Sequence, residues 1–232
     1  MMNLPFVAVI PAYNAAGTIQ SVVTDVNIFL AKDSIIVVND GSTDDTGEII
    51  SSLGVRCLQR ETNAGKGAAL REGFRAALTQ NPDWVICLDA DGQHDPRIIP
   101  RFQEAAASNR FDLIIGNRRV GGSQKGRFPD EMPKPRRFSN STSSALLSWR
   151  TGLPLADVQC GYRAIRASLL ARMRLCSVHY EIDAEMILQA WRQKGRIGWI
   201  PVPTLYRGEP SYLRKLPETL RFLGLVIRSF GK

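Results

Sequence analysis

Asp89 and Asp91 flank the small residue Ala90 where the apolar run Trp84–Leu88 gives way to the polar turn Gly92-Gln93-His94-Asp95-Pro96. Two carboxylates so spaced at a strand end can direct oxygens to a hard divalent cation, which keeps its other positions for water and a substrate diphosphate. The plainer alternative is an acidic turn with Pro96 opening a helix. Oxygen-rich sites favour magnesium or manganese, so Gln93 ranks above His94 as a third neighbour of the ion. His179 reads as an ordinary surface or packing histidine.

Two earlier segments have the same character. Val38-Asn39-Asp40-Gly41-Ser42-Thr43-Asp44 sets a carboxylate, Asp40, at a strand tip, where a nucleotide base or ribose could bond to it. Asn-rich and Asp-Gly turns also leave strands for purely local reasons, and Ser42 to Asp45 has the spacing of a helix capping box. Glu61-Thr62-Asn63-Ala64-Gly65-Lys66-Gly67 precedes a helical pattern. It is neither a Walker loop, given Arg60 and Gly67, nor a dinucleotide fingerprint, given Leu70. What remains is a glycine-containing loop at a helix N-terminus with one lysine, a modest anion-binding signal.

In the second half, Asp157-Val158-Gln159-Cys160-Gly161-Tyr162-Arg163 places an acid and an arginine around a glycine, which a salt bridge at a bend would explain. The basic stretch Arg118–Arg137, with its pair Arg136-Arg137, suits a solvated surface, phosphate binding or an anionic leaflet. Leu216, Leu220, Leu223 and Ile227 form a stripe with Arg214, Lys215, Arg221 and Arg228 nearby. That stripe suits packing on the domain or a place in a membrane interface.

The elements that must carry these residues follow from periodicity. Short apolar runs, Phe6–Ile10, Ser34–Asn39, Val55–Gln59, Trp84–Leu88 and Leu113–Gly116, alternate with helical patterns at Gly17–Leu30, Asp44–Leu53, Gly65–Thr79 and Pro96–Ser108. Such alternation predicts parallel strands with helices on both faces, and ligands beyond the carboxyl ends of the strands. Arg118–Arg137 reads as a long loop. Helical patterns resume at Phe138–Trp149 and Ile182–Lys194, followed by a strand at Arg196–Val202 and an amphipathic Leu213–Phe230.

The 232 residues carry a formal net charge of +8, unevenly placed. Residues 1–115 hold 9 Lys/Arg against 14 Asp/Glu and residues 116–232 hold 21 against 8, so an acidic front half joins a basic back half. Such a block of positive charge usually faces an anion: nucleic acid, a membrane leaflet or a phosphorylated substrate. No recognition-helix, RNP or zinc pattern accompanies it, so nucleic acid is not expected. Cys57, Cys87, Cys160 and Cys176 make no C-x-x-C pair and read as thiols of a reducing compartment. No secretory signal or membrane-spanning run is expected, which points to the cytoplasm and at most a peripheral place on its membrane face.

Taken in order, Val9-Ile10-Pro11-Ala12-Tyr13-Asn14, the Asp40 segment, Asn63-Ala64-Gly65-Lys66-Gly67 and Asp89-Ala90-Asp91-Gly92-Gln93-His94 resemble the signature segments of the family-two glycosyltransferases. Asp157 to Arg163 and Val202–Phe222 look most like the polyprenyl-phosphate branch typified by dolichol-phosphate mannose synthase. Many members of that branch carry transmembrane helices after the catalytic domain, and this sequence stops at Lys232. The resemblance implies an α/β glycosyltransferase-A fold, with a Rossmann-like, mainly parallel sheet, in one domain over 1–232. Residues 1–116 would serve the nucleotide sugar and metal, and 117–232 the acceptor.

It further implies an inverting transfer of a hexose from a nucleotide-diphosphate sugar to polyprenyl phosphate. Pro11, Tyr13, Asn14, Asp40, Lys66 and Asp89 would hold the nucleotide, with Ala90 leaving room for the sugar. Asp89, Asp91 and Gln93 would surround Mg2+ or Mn2+, with Asp91 central to catalysis. Asp157 would stand near the acceptor as base or orienting group, and Arg118, Arg137, Arg163, Arg207 and Lys215 would meet phosphate groups. The rival readings are a soluble family-two transferase acting on a saccharide hydroxyl and a non-catalytic module binding nucleotide sugar or nucleic acid.

Overall fold

The computed structural model describes residues 4–119, 121, 126–203 and 215–230, with 215–217 described by backbone alone. Strands β1 (Phe6–Ala12), β2 (Ile35–Asn39), β3 (Arg56–Gln59), β4 (Trp84–Cys87), β5 (Leu113–Asn117), β6 (Arg163–Arg166) and β7 (Ile197–Pro201) form one sheet in the order β3-β2-β1-β4-β6-β5-β7. Every pairing is parallel except those of β6, which runs antiparallel to both β4 and β5. Residues of β1, β2, β4 and β5 are almost all buried, as expected for strands covered on both faces.

Helices α1 (Ile19–Asn27) and α2 (Thr46–Ser52) touch each other, while α3 (Lys66–Leu78) lies on β1, β2 and β4. Right-handed crossovers require this division, because the chain steps outward from β1 to β3 and then returns past β1 to β4. Helix α4 (Ile99–Ala107) follows a 3-10 turn at Pro96–Ile98 and packs near β5 and β7. Its Ile99, Phe102 and Ala106 are buried at helical spacing.

Three expectations are corrected. Strand β6 escaped periodicity because Arg163 and Arg166 bracket only Ala164 and Ile165, so a central strand reads as a charged turn. The basic stretch is not loop to its end: α5 (Lys134–Thr151) begins at Lys134, with a proline in its first turn where no backbone donor is needed. Within the preceding loop Phe128 and Met132 are buried. The capping box from Ser42 does not form, since α2 starts at Thr46, whose amide donates to Asp44 Oδ1 at 3.1 Å. The short helix α6 (Ala167–Leu170), then α7 (Ile182–Arg192) and α8 (Lys215–Arg228) complete the chain. Cys87 and Cys160 are buried, Cys57 is half-buried and Cys176 is exposed, and all four are free thiols.

Candidate active site

The strand order 3-2-1-4 places a topological switch point between β1 and β4, where the carboxyl ends diverge and a crevice opens. The β1–β2 ladder continues to Ala12 and Asn39, whereas the β1–β4 ladder stops at Val9 and Cys87. Pro11 lies in β1 just past that stop, and the ring of Tyr13 beyond it is 38% exposed. Asn14 has another task. With φ +48°, its amide donates to Ser42 Oγ at 3.0 Å and its carboxamide oxygen accepts from the Thr43 amide at 2.8 Å. Asn14 thus stitches the β1 and β2 exits together.

Asp40 is buried behind this stitch. Its oxygens accept from the amides of Ala64 (3.1 Å) and Gly65 (2.8 Å), and Arg60 Nε stands 2.9 Å away. The glycine-containing loop therefore does bind an anion, and that anion is the chain's own Asp40. The glycines have a separate cause. A Cβ on Gly65 would lie 2.4 Å from His179 Nδ1, and one on Gly67 2.5 Å from the Ser177 carbonyl oxygen. Residues 177–179 lie across the first turn of α3, where the Ala68 amide donates to the Val178 carbonyl. The cation at this helix start is the side chain of Lys66, the first residue of α3.

Lys66 is the centre of the crevice. Its Nζ stands 2.7 Å from Asp89 Oδ1 and 3.2 Å from Asp183 Oδ2, and 5.7 Å from the centre of the Tyr180 ring. Burial opposes its charge, but Asp183 and Asp89 outweigh burial and hold the ammonium above its ordinary pKa. Burial would likewise raise Asp89, yet Lys66 and the bond with His94 keep that carboxyl well below the usual range. His94 Nε2 lies 3.3 Å from Asp89 Oδ2, so this buried histidine orients Asp89. A Cβ on Gly161 would come within 2.7 Å of Asp89 Oδ2 and 2.8 Å of Lys66 Nζ, which only glycine avoids. Burial pushes the neighbouring Cys87 thiol up to about 12, so it is no nucleophile.

Asp91 is half-buried; its Oδ1 accepts from the Gln93 amide at 2.9 Å. The Gln93 side-chain oxygen accepts from Arg136 Nη1 at 3.3 Å, and the buried Ala90 is pinned by Thr18, whose hydroxyl donates to its carbonyl at 2.6 Å. Asp91, Gln93 and Asp89 offer oxygen donors alone, which suits Mg2+ or Mn2+ with open positions for water and phosphate. Among the described residues no three His, Cys, Asp or Glu side chains form a preassembled metal cluster. The donors fit a shared ion, with Asp89 available only as it yields Lys66.

Three of the expected arginine and acid residues are paired within the chain. Asp157 is fully buried; its Oδ2 accepts from the Arg118 amide (2.9 Å) and Nε (2.8 Å), and its Oδ1 from Arg118 Nη2 (2.8 Å) and from the Asn140 carboxamide. Burial disfavours its charge, but Arg118 outweighs burial and keeps its pKa low. In this arrangement both carboxylate oxygens of Asp157 accept from Arg118 and Asn140. Arg163, also fully buried, donates to the carbonyls of Cys160 (2.7 Å), Val158 (2.7 Å) and Asp183. Arg163 thus ties the turn at 158–160 to the first turn of α7. Arg137 is half-buried with Nη1 3.3 Å from Asp130. Arg207 lies outside the described residues, as does the side chain of Lys215.

Asp183, Arg136 and Gly161 went unselected or underweighted in the sequence. Asp183 sits in the first turn of α7, where an acid already suits the helix dipole, so nothing in the sequence marks it out.

Residues 7–173 match the family described as "Glycosyl transferase family 2". The chain is 30% identical over 215 residues to an undecaprenyl-phosphate mannosyltransferase of Micrococcus luteus, covering 86% of this chain and 83% of that one. It is 31% identical over 190 residues to a polyprenol monophosphomannose synthase of Mycolicibacterium smegmatis, covering 79% and 70%. In fold it is similar to glucosyl-3-phosphoglycerate synthase of Mycobacterium tuberculosis, crystallised with Mn2+, UDP and glucosyl-3-phosphoglycerate. That match has a TM-score of 0.70 and 21% identity over 98% of this chain and 79% of that one. With the switch-point crevice, its acidic pair and these matches together, the chain belongs to glycosyltransferase family 2 and is a glycosyltransferase of the glycosyltransferase-A fold.

Proposed function

We propose that this enzyme transfers a hexose, with inversion, from a nucleotide-diphosphate sugar to a polyprenyl phosphate at an anionic membrane surface on the cytoplasmic side. The observation that carries the acceptor choice is the closed pairing of Asp157 with Arg118 and Asn140. A saccharide hydroxyl needs a base to take its proton, whereas a phosphate monoester is already ionised at neutral pH and attacks without one. An acid locked in this way suits the phosphate. Both relatives named above carry polyprenyl-phosphate acceptors in their names, in agreement.

Residues 1–116 take the donor. Pro11 and the open ring of Tyr13 border the nucleotide beside the Asp40-braced loop. Asp91, Gln93 and Asp89 would hold the divalent ion, which when bound stabilises negative charge developing on the departing diphosphate. Lys66 and Arg136, at either side of that exit loop, add positive charge to the same oxygens. Residues 117–232 present the acceptor.

An apolar face on α8, where Leu220 (64%), Leu223 (41%) and Ile227 (70%) are exposed and continue into Phe230, supports the lipid reading. Trp149 and Phe138 of α5 are exposed as well, and the Trp149 ring lies tilted against Phe230, with centroids 5.6 Å apart. No helix among the described residues is long and apolar enough to cross a membrane. The deciding experiment incubates the protein and Mn2+ or Mg2+ with a panel of nucleotide sugars and either undecaprenyl phosphate or free saccharides. A glycolipid is the expected product; transfer to the saccharides alone rejects the proposal.

A further inference from the structure

The geometry points to Asp183 as a positioning residue that draws the Lys66 ammonium off Asp89, so that Asp89 can be given to the divalent ion. The inference rests on the metal reading above and concerns a residue of α7 that has no place in the acidic exit loop.

Three observations carry it. First, the Lys66 ammonium is shared between two carboxylates, at 2.7 Å from Asp89 and 3.2 Å from Asp183, so it has somewhere to go when Asp89 changes partner. A buried ammonium without an anion would be expensive, and Asp183 removes that penalty. Second, Asp183 is itself held in place. Its Oδ2 takes Lys66, while its Oδ1 has no hydrogen-bond partner and faces Arg163 Nε across 3.8 Å. Asp183 is 5% exposed and keeps one oxygen without a hydrogen bond, an acceptor that a second bond from Lys66 would satisfy. Third, the path is walled. Tyr180 borders Lys66 on one side, Gly161 leaves no Cβ between Lys66 and Asp89, and the amides of Cys176 and Ser177 donate to Glu185, fixing the segment that leads to Tyr180. The ammonium can shift between its two anions without the chain moving.

Without Asp183 the ammonium would rest on Asp89 alone and compete directly with the cation. The two acids act in opposite senses on metal binding, although both are carboxylates near one lysine.

The test measures Mn2+ binding to the full chain, without nucleotide, from the loss of the free-Mn2+ spin-resonance signal. Asp183→Asn is expected to weaken binding at least fivefold. Lys66→Met is expected to tighten it severalfold, and in the Lys66→Met background Asp183→Asn should change it less than twofold, because the lysine through which Asp183 acts is gone. An Asp183→Asn affinity equal to the parent's, or an equal loss with and without Lys66, overturns the inference. If Asp183→Asn does not fold by circular dichroism, Lys66→Met decides alone: unchanged, weaker or unmeasurable Mn2+ binding overturns it. Glycosyl transfer assayed on the parent separates the two ideas. Transfer without these Mn2+ effects leaves the proposed function standing and removes the role of Asp183; the effects without transfer do the reverse.

Discussion

Arg118 grips Asp157 from three donors, its own amide, Nε and Nη2, at 2.8–2.9 Å, inside a site from which solvent is excluded. A grip of that kind belongs to architecture. Removing one member of a buried, hydrogen-bonded ion pair typically costs about 3–5 kcal/mol, because the other charge is stranded. Asp157→Asn is therefore expected to lower unfolding free energy by about that amount in urea melts. The folded fraction should retain transfer to a lipid phosphate, and a complete loss in folded protein would return Asp157 to the chemistry.

The same pair sets an acid limit. Asp157 and Asp89 both have folded pKa values depressed below the unfolded carboxylate value of about 3.9. Groups of this sign contribute stability that is fully present above the unfolded value and is lost as pH falls through the folded one. Thermal midpoints should be flat from neutral pH to about 5 and fall steeply below about 4. A midpoint that rises on acidification contradicts both assignments.

Gly161→Ala probes the crevice without touching a charge. Its Cβ would press on Asp89 Oδ2 and Lys66 Nζ at under 3 Å. A displacement near 1 Å at a reacting centre can cost roughly 100-fold in rate. We expect kcat/KM to fall about 10- to 100-fold with a midpoint shift of only a few degrees, measured side by side.

Asp91 has a carboxylate held by a single amide, whereas Asp89 is held by both Lys66 and His94. Asp91→Ala, or chelation of the parent enzyme, is expected to bring transfer to background and to abolish Mn2+ binding. Full turnover in either condition rejects the metal assignment.

On α8, Leu223→Asp combined with Ile227→Asp should reduce flotation with anionic vesicles by tenfold or more, since each exposed aliphatic side chain that enters lipid contributes about 1.5–3 kcal/mol. Turnover of a short-chain, water-soluble acceptor phosphate should be unchanged. Undiminished vesicle binding assigns the stripe to another purpose.

Much of this was legible in the residues. Strands β1 to β5 and the helices between them lie within a few residues of their expected positions, because buried parallel strands carry long β-branched runs. Strand β6 was hidden by its own arginines. The acidic pair was found at its strand end, yet its companions Lys66 and Asp183 are 117 residues apart, a contact that only the folded chain discloses. The charge excess of the back half is divided between uses that composition does not separate. Arg150 and Arg192 hold Ser229, Arg166 and Arg196 hold Asp112, and Arg163 holds three carbonyls, so many of these cations brace the fold instead of awaiting an anion. Composition counts charges without seeing which are already answered.

The strap of residues 177–179 across the start of α3 has a mechanical consequence. It is tied at one end to Glu185 of α7 and presses against Gly65 and Gly67 at the other, leaving no slack. Helices α3 and α7 are thereby tied through one short segment, so a displacement of either is passed to the other through residues 177–179.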